Sequence, residues 1–122
     1  MEFIAIIPAR GGSKGIKNKN LQLFHNHSLL AHTIEVAQKS NIFNRIMVNS
    51  DSPSMIEEAQ RYDAEVLFQR PANLSMDSTS TQAVIAHHLN WLKNHESYIP
   101  DAFAVLEVTA PLRTSNDLKN AF

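Results

Sequence analysis

An α/β fold with a mainly parallel sheet is what this sequence predicts. Short apolar runs alternate with stretches of helical period along the whole chain. The first run, Phe3–Ile7, is continuously apolar, as a strand covered on both faces must be. The conspicuously polar stretches follow the strands rather than the helices. Strand–helix–strand alternation implies parallel βαβ units with right-handed crossovers. Sheets of this kind bind ligands outside the carboxyl ends of their strands. The 122 residues suffice for one small domain.

The elements follow in order. Pro8 ends the first strand, because it has no N–H for a ladder. A polar loop runs to about Leu21, and Gln22–His27 is a short extended piece with a turn at Asn26-His27. Ser28 caps a helix from Leu29 to about Lys39, with Leu30, Ile34 and Ala37 on one stripe. Arg45–Val48 reads as the second strand. Ser52-Pro53 opens the next helix with a capping hydroxyl and a proline at the first helical position, and that helix runs to about Tyr62. Glu65–Phe68 is expected as a third strand. A polar segment, Gln69–Asp77, precedes a long helix from about Ser78 to Asn94 carrying Val84, Ile85, Leu89 and Leu92, with Thr79 and Gln82 at capping-box spacing. Ala102–Val108 is a strongly apolar fourth strand, broken by Pro111. Thr114 and Asp117 open a last helix into Phe122. With every strand pointing the same way, Arg10–Asn20, Asn49–Ser52, Gln69–Asp77 and Glu107–Thr114 gather on one edge. The chain stops inside its last helix, so we expect one domain over residues 1–122, truncated at its carboxyl end.

Composition excludes several classes. Eleven Lys and Arg against 12 Asp and Glu give no general affinity for nucleic acid or anionic membrane. There is no cysteine, hence no disulfide framework, thiol nucleophile or cysteine metal cluster. The six histidines lack the i, i+4 spacing of a helical zinc site. The opening residues lack the features of a signal peptide, and no run approaches a membrane span, so a cytoplasmic location is expected.

The functional signal is local. Arg10, Lys14, Lys17 and Lys19 lie in a loop with Gly11, Gly12 and Gly15, and no acidic residue occurs between Glu2 and Glu35. A buried strand that empties into a cationic, amide-rich loop suits a polyphosphate. The glycine spacing fits neither a Walker loop nor a dinucleotide fingerprint. On these residues alone, an ordinary basic turn stays open.

The run Ile7-Pro8-Ala9-Arg10-Gly11-Gly12-Ser13-Lys14-Gly15-Ile16, followed by Lys19-Asn20-Leu21, resembles the signature of the sugar-acid cytidylyltransferases, above all the CMP-sialic acid synthetases (acylneuraminate cytidylyltransferases). Val48–Ser52, Arg70–Leu74 with Asp77, and Thr109–Thr114 agree in order and spacing, so the resemblance covers nearly the entire chain. It implies a Rossmann-like three-layer sandwich of the nucleotide-diphospho-sugar transferase type. It also implies a reaction in which a sugar-acid hydroxyl attacks the α-phosphorus of CTP and pyrophosphate leaves. By the same resemblance Arg10, Gly11, Gly12, Ser13, Lys14 and Lys19 bind the triphosphate, with Arg10 and Lys19 in the catalytic role. Asn20 holds the nucleotide near its ribose or α-phosphate. Arg70 and Thr81 frame the cytosine, and Glu107 and Arg113 meet the sugar. Mg²⁺ is implied as cofactor, with its carboxylates in a later segment that relatives also use for dimerisation; such relatives are roughly twice as long.

Plainer roles stand beside these. Lys17 suits a solvated surface, and Arg70 could be a strand-end charge paired with Glu65. Asp51 and Asp77 suit helix caps, and Arg113 could brace its loop. His88 falls in an apolar stripe and suits packing, and Trp91 and Phe103 suit the core. Many relatives have glutamine at the position of Glu107 and proline at that of Val108. A carboxylate there donates no hydrogen bond and disfavours a carboxylate substrate, which leaves the sugar open to related nonulosonic acids. The rival readings are a CMP-Kdo-type cytidylyltransferase, a catalytically inactive CTP-binding fragment, and an unrelated Rossmann-like protein with a basic loop.

Overall fold

A computed structural model describes residues 1–9, 23–24, 27–76 and 78–108. Strand β1 (Phe3–Pro8) comes first, then two very short strands, β2 (Leu23–Phe24) and β3 (His27–Ser28), paired antiparallel. Helix α1 (Leu29–Ser40) follows, then β4 (Arg45–Asn49), α2 (Pro53–Arg61), a single 3₁₀ turn (Ala72–Leu74), α3 (Thr81–Glu96) and β5 (Ala102–Val105). No helix among the described residues is long and apolar enough to cross a membrane. Each helix opens on a serine whose hydroxyl accepts from an N–H three residues on: Ser28 from Ala31, Ser52 from Met55, and Ser80 from Ala83. These are the donors a helix start leaves without a carbonyl. Helices α1 and α3 end on left-handed residues, Asn41 at φ 58° and Ser97 at φ 52°.

Strands β4, β1 and β5 form one parallel sheet in that order. Residues 65–69 continue it beyond β4, but only through two isolated parallel bridges, Met47 with Glu65 and Ser50 with Gln69. The expected third strand is therefore an interrupted edge. Its hydrogen bonds cluster at the two ends: Val48 N–H to Glu65 O at 2.8 Å, Glu65 N–H to Ile46 O at 2.9 Å, and Arg70 N–H to Ser50 O at 2.8 Å. The fourth strand is also shorter than its apolar run suggests, ending at Val105. Pro8 supplies the reason. Leu106 N–H donates to Ile6 O at 3.0 Å, and the next rung would need an N–H at Pro8. The chain order runs outward from β1 through β4, then returns to β1's other side with β5. That reversal puts the switch point between β1 and β5.

Alternation along the strands sorts side chains onto two faces. Ala5, Ile7 and Val48 pack under α1 and α2 with Leu30, Ile34, Met55 and Ala59. Ile4, Ile6 and Met47 face α3 with Ile85 and Leu92. Ile4, Ile6 and Ile7 are wholly buried, and each burial contributes about 1.5–3 kcal/mol. Trp91 packs partly buried against the α3 face, as expected. Phe103 does not join the core: it is 44% exposed on β5, which is paired along only one side among the described residues.

Candidate functional site

The direction of α3 is fixed by its contacts with β4. His88 meets Asn49 at the carboxyl end of the strand, while Glu96 meets Arg45 at its amino end. Helix α3 therefore runs antiparallel to the sheet. Its first residue, Thr81, is exposed and lies beyond the carboxyl edge, roughly 10 Å up the helix from His88 at 1.5 Å per residue. Ser80 caps this helix; Thr79 instead accepts from Met76 N–H at 3.1 Å through its hydroxyl.

Asn49 is the junction of the carboxyl edge. Its backbone oxygen accepts from Ala9 N–H at 2.9 Å and from Arg70 Nη2 at 2.8 Å. Its side-chain oxygen accepts from Arg70 Nε at 2.6 Å. Ala9 immediately precedes Arg10 and the glycine-rich run. One peptide oxygen thus ties the exit of β1 to the guanidinium of Arg70. The arginine is only 6% exposed, and charge-assisted bonds of this kind are about twice as strong as neutral ones.

Glu65 does not pair with Arg70. Arg45 takes that carboxylate with two bonds, Nε at 2.8 Å and Nη2 at 2.6 Å, and reaches Glu96 with Nη1 at 3.0 Å. Its guanidinium also lies 4.7 Å from the ring centre of Tyr98. The two acids raise the Arg45 pKa, against the opposing pull of its burial. Burial and a 2.6 Å hydrogen bond to Glu2 push the Tyr98 phenol up to about 12. This cluster belongs to the amino edge, away from the site.

His88 completes the buried side of the junction. Its Nδ1 lies 2.8 Å from Asn49 Nδ2, and its Nε2 lies 3.3 Å from Met47 Sδ. Phe68 rests beside it with ring centres 5.5 Å apart. Burial, reinforced by His87, Arg45 and Arg70, pushes its pKa down to about 4. His88 is a packing residue, as its place in an apolar stripe implies, and its ring is hydrogen-bonded as well.

Glu107 stands exposed two residues past β5, in the row formed by the ends of the four parallel segments. Asp51 does not cap α2. Ser52 does so, and the backbone oxygen of Asp51 accepts from Gln69 Nε2 at 2.9 Å. Arg10, Gly11, Gly12, Ser13, Lys14, Lys19, Asn20, Asp77 and Arg113 lie outside the described residues, as do Lys17 and the last expected helix. Arg70, Thr81 and Glu107 all come to the carboxyl edge. Asn49 and His88 were not singled out as site residues from sequence. The signal for Asn49 is the two-residue period of Arg45, Met47 and Asn49, which turns all three toward α3, and that for His88 is its place in the apolar stripe of that helix.

A profile of the family described as Cytidylyltransferase matches residues 4–122. The chain belongs to the cytidylyltransferase family. A pseudaminic acid cytidylyltransferase of Campylobacter jejuni subsp. jejuni serotype O:23/36 (strain 81-176) is 41% identical over 122 residues, which are all of this chain and 52% of that protein. An N-acylneuraminate cytidylyltransferase of Escherichia coli O18:K1:H7 (strain RS218 / NMEC) is 40% identical over 120 residues, 98% of this chain and 27% of that protein. A CMP-N,N'-diacetyllegionaminic acid synthase of C. jejuni serotype O:2 (strain ATCC 700819 / NCTC 11168) is 38% identical over 110 residues, 90% of this chain and 47% of that protein. This cytidylyltransferase chain thus spans about half the length, or less, of these relatives. Among solved structures, a CMP:2-keto-3-deoxy-manno-octonic acid synthetase complexed with CTP superposes with a TM-score of 0.78 at 19% identity, covering 98% of this chain and 45% of that one. The likeness shows the shared α/β Rossmann-like fold.

Proposed function

We propose that the protein transfers CMP from CTP to a nonulosonic acid, an N-acylneuraminate or a relative such as pseudaminic or legionaminic acid, with release of pyrophosphate. A hydroxyl oxygen of the sugar acid bonds to the α-phosphorus and gives up its proton to solvent, and the bond from that phosphorus to the oxygen bridging to the β-phosphorus breaks, releasing pyrophosphate. Charge accumulates on phosphate oxygens, so fixed positive groups lower the barrier. The loop residues Arg10, Lys14 and Lys19 supply them, Gly11, Gly12 and Ser13 approach the triphosphate closely, and Asn20 holds the nucleotide. Arg70 and Thr81 take the cytosine. Cytosine offers acceptors at O2 and N3, where uracil carries N3–H, and an arginine offers only donors. Glu107 and Arg113 face the sugar.

The observation that carries this reading is the Asn49 junction, which holds a buried arginine beside the strand exit that feeds the basic loop. Mg²⁺ is proposed as cofactor on the resemblance alone. The described residues contain no group of three or more His, Asp or Glu that would hold it.

Calorimetry on the intact protein tests the nucleotide site. CTP should bind more tightly than CMP, because the loop reads the β- and γ-phosphates, and Lys19→Ala should weaken CTP by about 1.5–3 kcal/mol. Arg70→Lys keeps the charge but loses the planar fork, and should weaken CTP by a similar ~1.5–3 kcal/mol while affecting UTP less. Equal affinity for CTP and CMP in the wild type would refute the loop assignment. Pyrophosphate release from CTP with a panel of nonulosonic acids tests the reaction and identifies the sugar.

A further inference from the structure

The hydrogen bonds around Asn49 have only one possible polarity. A guanidinium has donors and no acceptor, so the Asn49 amide must present its oxygen to Arg70 and its NH₂ to His88. That NH₂ needs a lone pair, which fixes His88 Nδ1 as the acceptor. The ring proton then sits on Nε2, toward the weakly accepting sulfur of Met47. Asn49 and His88 are each 1% exposed, so losing one partner would strand the other away from water.

The wiring also governs what Arg70 can do. Nε and Nη2 form one edge of the guanidinium, and both donate to Asn49. Holding that edge fixes the plane in which Nη1 lies. Discrimination between two pyrimidines depends on such fixity. An arginine able to swing would satisfy a carbonyl of uracil as readily as N3 of cytosine, whereas a held one meets the N3–H of uracil donor to donor.

We propose that Asn49 and His88 are positioning residues, which aim the guanidinium of Arg70 and thereby set the preference for CTP over UTP. The inference rests on the proposed role of Arg70 at the cytosine. The groups around His88 maintain the wiring. His87, Arg45 and Arg70 oppose a positive charge on the ring, Glu65 favours one weakly, and burial outweighs all of them. The neutral ring required by Asn49 is thus the stable form at neutral pH.

The test measures dissociation constants for CTP and UTP on the intact protein at pH 7, with ¹⁵N spectra of the histidine rings. In the wild type, His88 should be neutral with its proton on Nε2, and CTP should be preferred. His88→Leu should lower the UTP-to-CTP ratio of dissociation constants about tenfold, the effect of about one misdirected hydrogen bond. His88→Asn, whose amide oxygen can stand where Nδ1 stands, should restore most of the ratio. A residue that merely supports the fold would weaken both nucleotides alike and leave the ratio unchanged. Asn49→Leu covers the case in which His88→Leu does not fold. It removes the acceptor of Arg70 Nε, so the guanidinium edge is no longer held at both nitrogens and the ratio should fall. An unchanged ratio in these variants, or a wild-type proton on Nδ1, overturns the proposal while leaving CTP binding intact. A wild type that does not distinguish CTP from UTP overturns the role of Arg70 and the proposal together.

Discussion

The two faces of the sheet are built differently. Under α1 and α2, the strands present Ala5, Ile7 and Val48 to Leu30, Ile34, Met55 and Ala59, and the hydroxyls that α1 buries, Thr33 and Ser40, bond back to carbonyls of the same helix. Under α3, apolar Ile4, Ile6, Ile85 and Leu92 share the layer with Arg45, Asn49, His88 and the guanidinium of Arg70. The first face holds the fold together. The second also carries hydrogen-bond direction from helix to strand to the carboxyl edge, through the bonded groups of His88, Asn49 and Arg70. Buried polarity is costly unless it is connected, and the connected group of Asn49, Arg70 and His88 sits where the strand ends converge.

The contrast can be broken most forcefully on the apolar side. Ile34→Ala should destabilise by about 2–5 kcal/mol in urea unfolding, yet leave the UTP-to-CTP ratio of the folded protein unchanged. A changed ratio would mean that the faces are not separable. Next in size is the acid response of the polar side. His88 ionises near 4 in the fold against an ordinary 6.5, so the unfolded chain binds its proton more readily. Its contribution is complete above pH 6.5 and is lost as pH falls toward 4, a loss of about 3 kcal/mol at 1.36 per pH unit. Unfolding at pH 7, 5.5 and 4.5 should show the wild type losing that much more than His88→Leu, and parallel losses would remove the buried neutral histidine from the account. The smallest effect compares helix caps. Ser28, fully buried at the head of α1, should cost about 1–2 kcal/mol as alanine, and exposed Ser80 at the head of α3 only about 0.5–1.

Much of this was legible in the sequence because it is local. The apolar run of β1, the serines before α1 and α2, and the proline opening α2 each act within a few residues of themselves. What escaped prediction depends on partners distant along the chain. Glu65–Phe68 has the composition of a strand, but its pairing with β4 holds only at the ends. The contest for Glu65 is settled by Arg45, 20 residues away, and Arg70 turns to Asn49, 21 residues away. Phe103 reads as core from its apolar neighbours, yet β5 leaves it partly in solvent. At the site, sequence pointed to Arg70, Thr81 and Glu107, which share the carboxyl edge. It marked neither Asn49 nor His88 as a site residue: Asn49 lies in the matching stretch Val48–Ser52 with no role of its own there, and His88 lies in an apolar stripe, because the role of each depends on a partner far along the chain.

Strand β4 has an inheritance built into it. Arg45 at one end anchors Glu65 and Glu96, and Asn49 at the other orients a buried arginine, all from the same side of a five-residue ribbon. Deleting or inserting one residue between them would rotate one anchor to the opposite side relative to the other. Length variation among descendants of this chain should therefore accumulate in the turn at residues 61–64, while the span from 45 to 49 keeps its count.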